Sequence, residues 1–210
     1  MKKMIKYILV LLVVALVAYK SVYFKKLSEL NRAGDKKFDA AGWTKKLWEE
    51  KLTPGLDSSI DLMVLIDKIQ TNPTEAFDKY THAMSIGNYR YALVKVPVFI
   101  GQVEPDDIKV HLLTNVDTVI RMIVATEYIY GNAIRDASGL VDIRDFTNTT
   151  DLNNISEELN KIVRQSVLPP FKANVKVGDK VEVIAAVELN KEHINFRELE
   201  LIPVRLKTLQ

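Results

Sequence analysis

The side chains best suited to binding chemistry lie in a polar segment between Tyr130 and Asn153. Amide, carboxylate and guanidinium groups recur there at short spacing. The candidate binding residues are Asn132, Arg135, Asp136, Asp142 and Asp145. Such groups hydrogen-bond sugars, other polar solutes or a protein partner, particularly beside aromatic rings such as Tyr128 and Phe146. The segment therefore predicts a ligand or partner site.

A structural role is the alternative for the same residues. Arg135 with Asp136, and Arg144 with Asp145, could form ion pairs and turn caps that hold a long loop in one shape. Loops of this length need internal hydrogen bonding whatever else they do, so this interpretation is the stronger of the two. The aspartates match no EF-hand spacing, and we predict no metal site.

The sequence offers little for catalysis. It contains no G-x-S-x-G element, no P-loop, no H-E-x-x-H and no dinucleotide fingerprint. Cysteine is absent, and the three histidines are scattered along the chain. Glu157 and Glu158 are neighbours on a predicted helix and cannot face one another. We therefore expect a protein that is not an enzyme and has no cofactor.

Composition excludes several other classes. The 29 basic residues nearly balance the 27 acidic residues, so no broad positive field attracts a polyanion. We predict no nucleic-acid partner, including single strands on a barrel face. Without cysteine, the chain has no disulfide framework, no thiolate zinc site and no cysteine to carry a lipid.

Two blocks of β-type sequence flank the polar segment. A long apolar run predicts a strand over 91–103. Alternation of apolar with polar residues predicts four more, over 108–112, 119–126, 181–189 and 199–206. Pro97 requires a sheet edge or a bulge because it donates no ladder hydrogen bond. Val204 and Leu206 are out of phase with Leu199 and Leu201, so one inserted residue is predicted near Ile202 and Pro203.

A helix is predicted between the third and fourth strands. Asn154 with Glu157 is a capping box, and Pro169-Pro170 forbids continuation of the helix. One apolar stripe follows the box, at Ile155, Leu159, Ile162, Val163 and Val167. The order of elements predicts an α+β fold containing a five-stranded, OB-fold-like Greek-key β-barrel. An open antiparallel sheet with the helix on one face uses the same elements.

The predicted domain organisation has three parts. A barrel domain covers 88–210, with the polar insertion at 130–153, and a helical arm covers 25–87. In the arm, Asp57 caps one helix and Asn72 caps another, while Pro54-Gly55 ends the helix before them. Trp43 and Trp48 could form a ligand platform, but packing of the arm on the barrel is the favoured role.

Residues 1–24 read as a signal anchor. Lys2, Lys3 and Lys6 precede an apolar run from Tyr7 to Tyr19, the pattern of an export signal. The cleavage signals are poor, so we predict an uncleaved anchor. A helix from Tyr7 to Phe24 would span roughly 27 Å. The prediction places this anchor in the inner (cytoplasmic) membrane and the body in the periplasm.

Several stretches resemble a bacterial family of predicted periplasmic lipoproteins, a domain of unknown function. They are FDAAGWTKKLWEEK, GNAIRDASGLVDIRDF, DLNNISEELN with VLPP, and KVGDKVEVIAAVELN with LIPVRL. The resemblance covers nearly the whole chain after the anchor and implies an extracytoplasmic, membrane-tethered protein linked to ABC-type sugar uptake. ABC transporter components or another envelope protein are the implied partners. One departure is the missing lipobox cysteine. The resemblance assigns no catalytic residues.

Overall fold

A computed structural model describes residues 2–21, 38–84, 86–113 and 120–209. The chain divides into two compact units, Met1–Phe38 and Asp39–Gln210. The second unit holds every strand and all but one of the helices of the described chain. The candidate binding residues all belong to this second unit.

The first unit contains one helix, α1 (Lys2–Ser21). Apolar side chains are exposed along it, including Leu11, Leu12 and Leu16. No helix within the described residues is long and apolar enough to cross a membrane. The spanning helix predicted from Tyr7 to Phe24 is thus not found, and residues 22–24 lie outside the described chain.

The helices of the second unit are short, and most begin at a polar cap. Their bounds are α2 (Ala40–Leu47), α3 (Leu62–Thr71), α4 (Pro73–Tyr80), α5 (Ala133–Ser138), α6 (Thr149–Ile162) and α7 (Leu168–Lys172). A π-helical segment, Trp48–Leu52, extends α2, and a helical turn, Thr53–Gly55, continues through the predicted Pro54-Gly55 stop. A 3-10 turn, Leu56–Ser58, ends the run.

The cap of α3 corrects one prediction. Asp61, not Asp57, accepts hydrogen bonds from the Met63 and Val64 amides, at 2.8 and 3.2 Å. The Asp57 carboxylate instead binds Arg205 of the last strand at 2.5 Å. The predicted Asn72 cap is confirmed, because its side chain accepts from the Glu75 amide at 3.4 Å.

Within the described residues, six strands form one mixed sheet, whereas the sequence predicted five. They are β1 (Ile60–Asp61), β2 (Tyr89–Val103), β3 (Asp107–Leu112), β4 (Arg121–Ala125), β5 (Lys180–Asn190) and β6 (Glu198–Thr208). Their order is β1-β2-β3-β4-β6-β5, and β2 pairs additionally with β5. The β1–β2 and β4–β6 pairs are parallel. The unpredicted strand, β1, has only two residues, too few for a periodic pattern. Val119, the predicted start of the third strand, lies outside the described residues.

Two irregularities agree with the sequence. Ile184 pairs with Arg205 and Ala185 with Pro203, so Val204 is the inserted residue predicted near Pro203. Pro97 accepts a hydrogen bond from the Leu113 amide at 3.2 Å through its carbonyl oxygen. Its nitrogen therefore faces the same side, where the β2–β3 register begins only at Val98. A proline is tolerated there because no described ladder bond is lost.

The connecting helix begins earlier and ends later than predicted. The cap is Asn148, whose side chain accepts from the Asp151 amide at 2.9 Å, rather than Asn154. A π-helical segment, Val163–Val167, follows α6, and α7 continues through Pro169-Pro170. The prolines occupy the first turn of a new helical segment, where a missing amide hydrogen costs little.

We expect Asn148→Ala to destabilise the fold by about 1 kcal/mol, because it removes an N-cap hydrogen bond. Asn154 is exposed within the helix, so Asn154→Ala should be neutral or slightly stabilising. Urea unfolding of the two variants measures the difference. The opposite ranking would place the helix start at Asn154 and contradict the described cap.

One hydrophobic core joins helices and sheet in the second unit. Leu65 and Ile69 of α3 and Phe77 of α4 are buried with Val94, Val183 and Leu201 of the strands. The predicted stripe of α6 is largely confirmed, since Ile155, Leu159 and Val163 are fully buried. Ile134 and Ala137 of α5 and Leu152 of α6 are buried as well, in the helices that carry or adjoin the polar candidate residues.

Candidate functional site

Three of the five candidate residues come together in and before α5. The Arg135 guanidinium donates from Nε to Asp136 Oδ1 at 2.8 Å, and Asn132 donates from Nδ2 to Asp136 Oδ2 at 2.5 Å. Arg135 also donates from Nη1 to the Leu152 carbonyl at 3.2 Å, which ties α5 to α6. Arg135 and Asp136 are only 7% and 3% exposed. The predicted Arg135–Asp136 ion pair is thus confirmed as a buried, structural contact.

The other two candidates lie further along the polar segment 130–153, which we name the connector. Asp142 caps the 3-10 turn Ile143–Asp145 and pairs with the exposed Arg144 at 2.5 Å. Hydrogen bonds from Arg144 hold the pKa of Asp142 at about 2. Asp145 is exposed at the end of this turn. The Arg144 side chain binds Asp142 rather than the predicted Asp145. The Asp142 carboxylate also accepts a hydrogen bond from the Arg144 amide, which holds the two residues together.

The connector starts beside a cleft of about 390 Å³, which we name the tyrosine–glutamate cleft. Its lining is aromatic and acidic, with three tyrosines, three glutamates and Asn132. They are Tyr91, Tyr128, Tyr130, Asn132, Glu188, Glu198 and Glu200. Tyr128 and Tyr130 are 66% and 62% exposed, so their rings are available to a ligand. The residues that line this cleft include no lysine and no arginine.

The strands bring the glutamates together by long-range pairing. Glu188 of β5 lies opposite Tyr91 of β2, and the Tyr91 hydroxyl donates to Glu188 Oε2 at 2.9 Å. Glu198 and Glu200 alternate with the buried Leu199 of β6. Burial and the nearby charge of Glu188 raise the pKa of Glu200. This mutual repulsion makes the cleft favourable for a cation.

The backbone at the cleft rim is held by two contacts from the connecting helix. Asn160 donates to the Gly131 carbonyl at 2.9 Å, and Arg164 donates to the Ile129 carbonyl. The Arg164 guanidinium also lies over the Tyr130 ring at 5.3 Å. Gly131 has φ +76°, a conformation that favours glycine. The rim is thus fixed before a ligand arrives.

A second cavity of about 310 Å³ adjoins the rim. It shares Gly131 and Asn132 with the cleft, and its other lining residues are Arg135, Asn153, Ser156, Glu157 and Asn160. All five of these side chains can hydrogen-bond a polar solute. The helix that was predicted between the third and fourth strands therefore contributes a polar wall to this cavity.

Burial and the bond to Glu188 raise the pKa of Tyr91 to about 12, from an ordinary value of 10.0. The fold therefore favours the neutral phenol. This stabilisation is complete below pH 10 and is lost as the pH rises towards 12. We expect one tyrosine to titrate late in tyrosinate absorbance, and Tyr91→Phe to remove that late step. A late step that persists in Tyr91→Phe would contradict the assignment.

The connector was predicted from the sequence, but the cleft was not. Glu188 lies on the polar face of its strand, and nothing local in the sequence brings it to Tyr91 or Glu200. The alternation of Glu198 and Glu200 with Leu199 was a signal for one polar face at the start of β6. Of the two tryptophans, Trp43 packs edge-on against Phe146 of the connector, with ring centroids 5.5 Å apart.

Comparison with known proteins supports the fold and identifies the family. No curated protein matches the chain. The structure is similar to the crystal structure of an OB-fold protein from Thermotoga maritima, with a TM-score of 0.70 and 28% sequence identity. That match covers 83% of this chain and 100% of the other, and it supports the predicted OB-type fold. A family model matches residues 12–207, so this chain belongs to the family of predicted periplasmic lipoproteins, DUF2291.

Proposed function

We propose that this protein is a non-enzymatic accessory module of the cell envelope, whose tyrosine–glutamate cleft binds a basic segment of a partner protein. The family description supports an extracytoplasmic, membrane-associated location. The lining of the cleft is the observation that carries the proposal. Its lining offers three carboxylates and three tyrosines and includes no basic residue, and of the three carboxylates only Glu198 is ion-paired among the described residues, with Arg121 at 3.3 Å.

Each part of the cleft suits a lysine or arginine side chain. Tyrosine rings attract cations over their faces, and the exposed Tyr128 can present its face, whereas the Tyr130 ring already lies under the Arg164 guanidinium. Glu188 and Glu200 repel one another, and an inserted cation relieves that repulsion. Tyrosine is also enriched at protein interfaces because its ring and hydroxyl contribute together. A volume near 390 Å³ accommodates one or two such side chains.

Membrane association is part of the same proposal. The exposed apolar surface of α1 supports a role for the N-terminal segment in export and in holding the protein at the cytoplasmic membrane. Components of an ABC-type sugar uptake system are the first partners to test, because the family resemblance implies such a link. Neither nucleic acid nor a cofactor has a part in this proposal.

The proposal is tested by purifying the full-length protein from its native membranes in mild detergent and quantifying what co-purifies. Tyr128→Ala removes an exposed ring of the cleft. Tyr89→Ala is the matched control, since Tyr89 is 56% exposed and outside the cleft lining. We expect the partner to be lost from Tyr128→Ala alone. Equal recovery with both variants would contradict a partner site in the cleft.

A small polar solute is the second candidate function. The adjoining cavity favours it, because Asn132, Arg135 and Asn160 bring amide and guanidinium groups to one place. Its test is a thermal shift of the full-length protein with a panel of neutral sugars. A shift that is lost in Asn153→Ala, and unchanged in Asn154→Ala, would establish this second function. No shift with any sugar would remove it.

A further inference from the structure

A second cleft of about 530 Å³ lies elsewhere in the same unit, and we name it the lysine cleft. Lys51 of the π-helical segment, Lys68 of α3 and Lys79 of α4 line it. The three lysines come from three different elements, so the cleft is built by the tertiary fold rather than by one basic helix face. It shares no lining residue with the tyrosine–glutamate cleft.

The lysine cleft carries charge of one sign. Its lining contains three lysines and His82 but no aspartate or glutamate. Asp67 and Glu75 line a neighbouring cavity together with Lys68 and Lys79. None of the three lysines forms an ion pair within the part of the chain that the structure describes. Three unpaired ammonium groups around one concave surface favour an anion.

Hydroxyl groups add neutral donors to this lining. Ser59 lines the cleft, and its buried Oγ has no hydrogen-bond partner among the described residues. Because this hydroxyl makes no hydrogen bond among the described residues, none of those bonds is broken when it turns towards the cleft. Burial and the nearby Arg90 charge lower the pKa of His82, which favours its neutral imidazole. The anion would therefore meet donors as well as charges.

Part of the lining is apolar. Val64 and Leu140 are 45% and 38% exposed, and Leu93 of β2 lies beside them in the same cleft. An inorganic ion would leave this surface in contact with water. A ligand with an apolar body would cover it and gain roughly 25 cal/mol per Å² buried. The apolar surface therefore selects an organic anion over a bare one.

We propose that the lysine cleft binds an organic phosphate, with the phosphate group among Lys51, Lys68 and Lys79 and an apolar body over Val64, Leu93 and Leu140. The phosphate could belong to a soluble phosphate ester or to an anionic phospholipid headgroup. Both sources present the same chemistry to the lysines. This site is independent of the partner proposed for the tyrosine–glutamate cleft.

The test is calorimetric titration of the full-length protein, in a neutral sugar-headed detergent, with phenyl phosphate, inorganic phosphate and phenol. We expect phenyl phosphate to bind at least about tenfold more tightly than inorganic phosphate, and phenol to show no binding. Lys51→Gln with Lys68→Gln and Lys79→Gln should weaken phenyl phosphate binding by about tenfold or more. Each neutralised lysine removes one attraction to the phosphate.

The matched control is Lys46→Gln with Lys109→Gln and Lys161→Gln, which changes the net charge equally. These lysines lie outside the cleft lining and form surface ion pairs that contribute little to stability. Thermal melts establish that both triple variants fold, and Lys79→Gln alone replaces the first triple if it does not. Equal loss of binding in the control, or equal binding of phenol, would overturn the proposal.

A vesicle arm separates the two sources of phosphate. Full-length protein is floated with phosphatidylglycerol or phosphatidylcholine vesicles, and the cleft variant is compared with the control variant. Loss of the phosphatidylglycerol preference in the cleft variant alone identifies a lipid headgroup. An unchanged preference, with phenyl phosphate binding lost, identifies a soluble ester. Absence of phenyl phosphate binding together with an unchanged preference would refute both.

Discussion

Replacing Asp136 with alanine is expected to destabilise the folded protein by about 3–5 kcal/mol, the usual cost of breaking a buried ion pair from one side. The Arg135 guanidinium would remain buried without its carboxylate, and Asn132 would lose its acceptor. Tryptophan fluorescence during urea unfolding measures the change. The Asp136 carboxylate is 2% exposed, so the solvent cannot replace it without opening α5.

The control for this effect is Asp145→Ala on the same connector. Asp145 is exposed at the end of its 3-10 turn, so its removal should leave the unfolding midpoint nearly unchanged. Replacing both Arg135 and Asp136 with leucine should restore much of the stability, because no unpaired charge remains. Similar losses for Asp136→Ala and Asp145→Ala would contradict the structural role of the buried pair.

Reversing one charge in the tyrosine–glutamate cleft should abolish most partner capture. In Glu200→Lys the new ammonium faces the basic segment that the cleft is proposed to hold, and we expect recovery of the partner to fall by about tenfold or more. Quantitative co-purification of the full-length protein measures this. The raised pKa of Glu200 shows that its environment disfavours the carboxylate, so the folded state does not depend on that charge. We therefore expect Glu200→Lys to fold.

Glu192→Lys is the matched control for charge reversal. Glu192 is exposed in the turn between β5 and β6 and does not line the cleft, yet its replacement changes the net charge equally. Partner recovery should stay near that of the unchanged protein. If Glu192→Lys loses as much partner as Glu200→Lys, the attraction depends on net charge and the cleft has no specific role.

Local patterns predicted the strands well because their signals are local. The polar alternation around Val181 and Val183 marked β5, and the phase change after Leu201 marked the inserted Val204. Helix boundaries were harder. Asn148 and Asn154 both offer a cap with an acidic residue three positions on, and the structure distinguishes the earlier start by the Asp151 amide bond to Asn148 and by the burial of Leu152 at 5% exposure. The π-helical segment before Pro169-Pro170 leaves no sequence signal.

The part of the candidate site that depends on neighbouring residues was predicted from the sequence, and the part that depends on long-range pairing was not. Arg135 and Asp136 were recognised as an ion pair from adjacency alone, and the structure buries them together. The cleft beside them depends on β2 pairing with β5 and on β4 pairing with β6, contacts between residues far apart in the sequence. No spacing rule joins Tyr91, Glu188 and Glu200. Their proximity is visible only once the strands are paired in the folded sheet.

Site-specific crosslinking tests most directly whether the tyrosine–glutamate cleft binds a basic segment of a partner protein. A photo-crosslinking amino acid replaces Tyr128 in the full-length protein in its native membranes. In a second variant of the same protein, it replaces Tyr89. We expect an adduct from position 128 alone, on a lysine- or arginine-rich segment of an envelope protein, and we expect Glu200→Lys to abolish it. The same adduct from both positions, or one on an acidic or apolar segment, would contradict a cleft built to hold a basic partner.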